Sequence, residues 1–195
     1  MTSGRHIKLA GHDSDQLQEA ARLHCTCLPE SITSTRGEQV LRYSYRHLAR
    51  SGHSIYLLIE DGQVIGGLVV LANNRPYSSL TLLLYRPISW IRAVRLLGWM
   101  DFVGKLLDLF QVRKRARLLK NHDYIIALYI DEGQRRHGFA GQLLEQAISD
   151  SLSRGVGLAV DTDSSNFAAR ALYVSHRFTE YGSTTRSVIF SRNSE

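Results

Sequence analysis

"QRRHGFAGQLL", Gln134 to Leu144, sets two arginines, a histidine and a glycine directly before apolar residues at helical spacing. Ala140, Leu143, Leu144, Ala147 and Ile148 fall at i, i+3, i+4, i+7 and i+8, which predicts a helix from about Gly138 to Ser153 with one face on a sheet. The run before it, "DYIIALYID" (123–131), reads as a buried strand. A turn between such a strand and helix aims the helix's first unpaired N–H groups, and the positive end of its dipole, at the edge of the sheet. An anion belongs there. Gly138 lets a ligand approach the main chain, Ala140 keeps the next contact small, and Arg135 and Arg136 supply charge for a phosphate or pyrophosphate. His137 is the one histidine with a local reason to touch that ligand. A solvated basic loop is the competing explanation of the same residues.

Working outward, strands and helices alternate. "HIKLA" (6–10) reads as a short strand, Asp13 to Cys25 as a helix opened by Asp/Ser caps, and Glu38 to Arg50 as a second helix. In "SIYLLIEDGQVIGGLVVL" (54–71) two β-rich runs flank Asp61-Gly62, a pair that favours a tight hairpin. Downstream come a strand at 157–163, a helix from about Asn166 to His176, and a closing pair, "FTEYG" (178–182) and "RSVIFSR" (186–192). An α/β sheet flanked by helices follows. No Pro/Gly/Ser-rich linker divides the 195 residues, so one domain over 1–195 is expected.

The net charge of +6 is local. Between Arg86 and Lys120 nine basic residues face two acidic ones, +7 in all, which leaves the remainder at −1. This basicity falls in an insertion of about 76–122, where Val103, Leu106, Leu107 and Phe110 repeat at i, i+3, i+4 and i+7 ahead of a cluster from Arg113 to Lys120. Two uses compete for it: a helical hairpin packed as a lid, and a basic amphipathic helix at 90–120 lying on an anionic membrane surface. Nucleic acid is disfavoured because few aromatics interleave with the basic residues after Phe110. Exposed apolar residues there can equally pack on a second copy, making a homodimer. The N-terminus lacks a signal-peptide core and no apolar stretch is long enough to span a bilayer, so a cytoplasmic protein is expected, with the inner membrane face as an extension. Cys25 and Cys27 read as ordinary reduced thiols.

Neither G-x-x-x-x-G-K-[ST] nor G-x-G-x-x-G occurs, no H-E-x-x-H or ligand-spaced histidine pair suggests a metal, and no G-x-S-x-G suggests a serine hydrolase. What remains, Arg135-Arg136-His137-Gly138-Phe139-Ala140, resembles the [QR]-x-x-G-x-[GA] motif of the GCN5-related N-acetyltransferase superfamily. "NFAARALYVSHRF" (166–178) is similar to a second motif of that family, N-x-x-A-x-x-L-Y-x-x-x-G-F, with Asn166, Ala169, Leu172, Tyr173 and Phe178 in register. Arg177 stands where the family has glycine, which questions the local turn.

The resemblance implies a mixed, mostly antiparallel sheet of about six or seven strands flanked by helices, with the helical insertion before the fourth strand. It implies acetyl-CoA as acyl donor, its pyrophosphate on the amides of 135–140 and its pantetheine arm along Leu128, Tyr129 and Ile130. Asn166 would lie along the cofactor groove, and no metal is called for. The chemistry is acyl transfer from a thioester to an amine. Tyr173 suits the leaving thiolate, because a phenol stays protonated at neutral pH. For the base that deprotonates the amine the sequence offers Asp161, Asp163, Asp123, His122 and Glu30, of which Asp161 is carried forward. The insertion and the segments at 13–50 are also arranged as in bacterial members that resemble those associated with surface-polysaccharide or sugar modification, which tilts the acceptor toward an amino sugar or other small amine. A non-catalytic CoA-binding or membrane-associated interaction protein is the alternative.

Overall fold

The computed structural model describes residues 4–11, 15–73 and 121–194, together with residues 91, 94, 95, 98–100, 103 and 104. The strands are β1 (His6–Leu9), β2 (Ser54–Glu60), β3 (Gln63–Leu71), β4 (His122–Ile130), β5 (Gly157–Asp163), β6 (Thr179–Ser183) and β7 (Ser187–Arg192). They form one seven-stranded sheet in the order β1-β2-β3-β4-β5-β7-β6. Among the described strands only β4 and β5 run parallel, and the other pairings are antiparallel. Among the described residues, the helices whose bounds are placed are α1 (Gln16–Cys27), α2 (Ile32–Thr35), α3 (Glu38–Arg50), α4 (Phe139–Ser153) and α5 (Phe167–Ser175).

Most expected elements stand within a few residues of their expected bounds. The Asp61-Gly62 hairpin turns with φ of 52° and 81°, both left-handed, as a two-residue loop between twisted strands requires. The first helix differs: it begins at Gln16, Asp15 offers it no side-chain cap, and it runs on to Cys27. The four-residue α2, which no periodicity announces, is capped by the Ser31 hydroxyl accepting from the Ser34 N–H at 3.1 Å. Val103, of the apolar repeat in the insertion, is described; Leu106, Leu107, Phe110 and the 113–120 cluster lie outside the described residues. Of the described insertion residues Ile91, Trp99 and Met100 are exposed. A Cβ on Gly104 would meet the Arg186 guanidinium at 3.1 Å, which brings that point of the insertion against the β6–β7 connection. No helix among the described residues is long and apolar enough to cross a membrane.

Two cores sandwich the sheet. α4 and α5 pack Leu143, Leu144, Ala147 and Tyr173 on one face, against Leu68, Ile125, Val160 and Phe190. On the other, α1 and α3 pack Leu17, Ala20, Leu41, Tyr45 and Leu48 against Ile55, Leu57, Val69 and Tyr129. Beside β4 the chain spends two glycines on room. A Cβ on Gly66 would lie 2.5 Å from the Ile130 side chain, and one on Gly67 would lie 2.5 Å from the Tyr129 hydroxyl.

At the far end of β4 the fold is pinned by a buried carboxylate. Asp123 is 1% exposed and accepts from Arg154 at 2.5 Å, from Ser151 at 3.3 Å and from the Asn73 N–H at 2.9 Å. Asp123→Ala would strand the buried Ser151 hydroxyl, while the exposed Asn73 N–H and the partly exposed Arg154 regain water. We expect a loss of roughly 1–2 kcal/mol, read from the denaturant midpoint at unchanged slope. A loss below about 0.5 kcal/mol would contradict this account of the strand end.

Candidate active site

The parallel pairing of β4 with β5 runs only from His122–Gly157 to Ile125–Val160. Beyond it β5 continues on β7 through Asp163 and β4 continues on β3 through Ile130, so the two strands part. The register of β4 on β3 also slips here: Val70 faces Ile125 and Val69 faces Ala127, leaving Ile126 as a bulge, 43% exposed. The bulge switches the alternation of side chains, so Ile125 faces the α4/α5 core while Ala127 and Tyr129 face the α1/α3 core.

Main-chain directions follow from the same ladder. The Asp131 N–H donates to the Ile65 carbonyl at 2.9 Å, so by alternation the Tyr129 main chain also points to β3. Leu128 and Ile130 direct theirs into the gap. Tyr129 therefore departs from the expected pantetheine-facing trio: its backbone is paired, and its phenol accepts from Tyr45 at 3.2 Å in the opposite core. Tyr45 is in turn 2.6 Å from the Nδ1 of His24, whose imidazole burial pushes down to about 4, so it stays neutral. The Ile130 carbonyl is also taken, by the Arg135 Nε at 3.2 Å and the Cys27 thiol at 3.3 Å. That leaves the Leu128 N–H and C=O and the Ile130 N–H.

The basic turn closes this edge. Glu132–Gln134 form a 3₁₀ turn, Arg136 has φ of 66°, and Gly138 is the residue before α4 with φ of 79° and ψ of 2°. The glycine is explained by this left-handed backbone; a Cβ there would meet nothing within 4 Å. No side chain caps the start of α4, so the amides of Phe139, Ala140 and Gly141 keep the character of an uncapped helix N-terminus. Both arginines are exposed, and Arg135 turns its Nε back onto the strand-end carbonyl that the splay leaves unpaired. His137 stacks on Phe139 with ring centroids 5.6 Å apart, and its Nδ1 lies 3.3 Å from the Gln134 carbonyl. One cation escaped the sequence reading: Arg5, ion-paired with Glu60, sits 4.0 Å over the Phe139 ring. Nothing in its local sequence signals that; the pairing of β1 with the end of β2 brings it there.

Tyr173 comes from α5. Its ring is 4% exposed and held by tilted contacts with Phe178 and Phe190, at 5.8 and 5.9 Å. Burial, and secondarily the charge of Asp161, push its phenol above the ordinary tyrosine value. Its hydroxyl is not among the polar atoms sealed away without a partner. The end of α5 explains how the ring is aimed. The Phe178 N–H donates to the Tyr173 carbonyl at 3.0 Å and the Arg177 N–H to that of Val174 at 3.0 Å, with Arg177 left-handed at φ of 64°. These are the paired bonds of a Schellman turn, and its customary apolar contact is Phe178 on Tyr173. Arg177 thus preserves the geometry that glycine would adopt. Arg177→Gly is expected to stabilise the fold by about 0.5–1 kcal/mol, a left-handed penalty of about 1–2 less the entropy of glycine. A lowered melting midpoint would overturn that.

Asn166 has a structural task. Its Oδ1 caps α5 by accepting the Ala169 N–H at 3.0 Å, leaving only its amide N–H groups for a cofactor. The candidate bases separate in the same way. Asp163 holds the β5–α5 turn by accepting from the Ser165 N–H at 2.8 Å, Asp123 is committed to Arg154, and His122 pairs with Asn193 at 3.2 Å. Glu30 is exposed between α1 and α2. Asp161 is at the start of the splay, where its Oδ1 accepts from the Tyr124 hydroxyl at 2.8 Å. Tyr124 was not singled out by the sequence, because the link between β4 and β5 exists only once they pair.

A mixed sheet split between its two parallel strands, with a glycine turn and helix N-terminus closing the split, defines the class of coenzyme A-dependent acyltransferases acting on amines. The chain belongs to the Acetyltransferase (GNAT) family, whose sequence model matches residues 17–178. It is similar in fold to an N-acetyltransferase from Staphylococcus aureus Mu50, at TM-score 0.63 and 16% identity, covering 99% of this chain and 100% of that one. The ribosomal-protein-S18-alanine N-acetyltransferase of Escherichia coli gives 0.59 and 16%, covering 97% and 94%. The PaiA N-acetyltransferase of Thermoplasma acidophilum, solved with coenzyme A, gives 0.59 and 11%, covering 97% and 99%. Comparison with curated proteins finds no match. The protein is an N-acetyltransferase, and acetyl-CoA is the donor of its family.

Proposed function

We propose that this chain acetylates the amine of a small molecule, with an amino sugar as the acceptor class. The observation that supports the transfer chemistry is the place of Asp161, one residue past the last paired step of β4 and β5 and bonded to the Tyr124 hydroxyl, with the buried phenol of Tyr173 on the neighbouring α5. Uncapped amides at 139–141 and the exposed Arg136 suit the pyrophosphate, and the unpaired groups of Leu128 and Ile130 suit the amides of the pantetheine arm. The amine nitrogen attacks the thioester carbon while Asp161 takes its proton. The C–S bond breaks, and the Tyr173 hydroxyl donates a hydrogen bond to the departing thiolate. The proton taken by Asp161 passes to solvent, from which the thiolate is protonated.

The amino-sugar class rests on the arrangement of the N-terminal half and insertion alone. Free thiol should appear when acetyl-CoA meets a panel of amino sugars, polyamines and peptide N-termini, fastest with an amino sugar; release fastest with peptides would move the acceptor class. One observation favours the alternative of a CoA-binding protein without turnover: Asp163, Asp123 and His122 have structural partners. Binding without thiol release on any amine would support it.

A further inference from the structure

We propose, resting on the transferase reading above, that Tyr124 is the positioning residue that holds Asp161 for proton abstraction. The register partner of Tyr124 across the parallel pair is Ala159, and the last paired step is Ile125 with Val160. Its hydroxyl nevertheless reaches past that limit to the Asp161 Oδ1 at 2.8 Å, so the bond ties β4 to β5 where they separate. Tyr124 packs with Ala159 and Ile189 on the face away from α4 and α5, whereas Tyr173 belongs to the α4/α5 core. The two tyrosines thus lie on different faces of the sheet: one fixes the carboxylate, and the other serves the sulfur. The charge-assisted bond to Oδ1 restricts the rotation of the carboxylate and so contributes to the fixed orientation that a proton transfer needs.

The test compares the wild type, Tyr124→Phe, Asp161→Asn and the double variant, using acetyl-CoA and the amine of the panel that the wild type turns over fastest. Tyr124→Phe should lower kcat about tenfold, leave KM for acetyl-CoA within about twofold, and melt close to the wild type. Asp161→Asn should lower kcat by roughly a hundredfold, with no further loss when Tyr124→Phe is added. Multiplying losses, or a fall in acetyl-CoA affinity that matches the fall in kcat, would overturn the inference in favour of a structural tyrosine. Full turnover by Asp161→Asn would remove the base and Tyr124's task with it while leaving the transferase reading intact. Absence of turnover by the wild type on every amine would count against the transferase reading, and the inference would fall with it.

Discussion

Tyr173→Phe should lower kcat by roughly a hundredfold while acetyl-CoA binds as before. The ring remains, so the contacts with Phe178 and Phe190 and the turn at Arg177 survive, and only the hydroxyl proposed to meet the leaving sulfur is lost. Because burial raises the phenol, it is neutral throughout the usable pH range. A thiolate has its free value near 8.5, below that of the phenol, so the main contribution of Tyr173 is a hydrogen bond that strengthens as charge builds on sulfur. The variant should therefore lose kcat and kcat/KM together. Steady-state kinetics at saturating amine decides it: a change confined to KM would assign Tyr173 to ground-state binding and leave the thiolate without a protein donor.

Gly138→Glu should weaken acetyl-CoA at least about 10²-fold, or about 2.7 kcal/mol. The substitution meets no steric obstacle, and its cost to the free protein is limited. A left-handed glutamate loses about 1–2 kcal/mol, and a carboxylate at a helix N-terminus recovers about 0.3–1 kcal/mol. The variant should fold and melt only a few degrees lower. What it cannot do is share the first turn of α4 with a pyrophosphate, since it sets a negative charge where the uncapped amides face outward. Retained affinity in a folded variant would move the phosphate site away from this turn, with Arg5 and Arg136 as the next cations to replace.

The strand–turn–helix around Gly138 was legible because every signal in it is local: a continuous apolar run, a left-handed glycine and a 3.6-residue repeat that ends up buried as Leu143, Leu144 and Ala147. The Asp61-Gly62 hairpin was legible for the same reason. The point at which the strands part was not, since it depends on where β5 stops following β4, and neither strand carries a mark at Ile125 or Val160. Its consequences were hidden with it: the bulge at Ile126, the turning of Tyr129 into the other core, and the use of Arg135 to satisfy the Ile130 carbonyl. Asn166 shows the opposite limit. A position expected along the cofactor groove has a cap as its task in the fold, because an asparagine at the start of a helix serves the helix whether or not a cofactor lies beside it. Arg177 shows that a departure from a motif can preserve its geometry when one strained backbone conformation is tolerated.

Calorimetric titration of acetyl-CoA into the unmodified protein tests the central claim most directly. Micromolar, saturable binding at one site per chain is the predicted result, with coenzyme A itself binding comparably because the phosphates and pantetheine arm carry the contacts. An absence of binding by both would contradict the assignment of the β4–β5 split and the Arg135–Ala140 turn as a donor site.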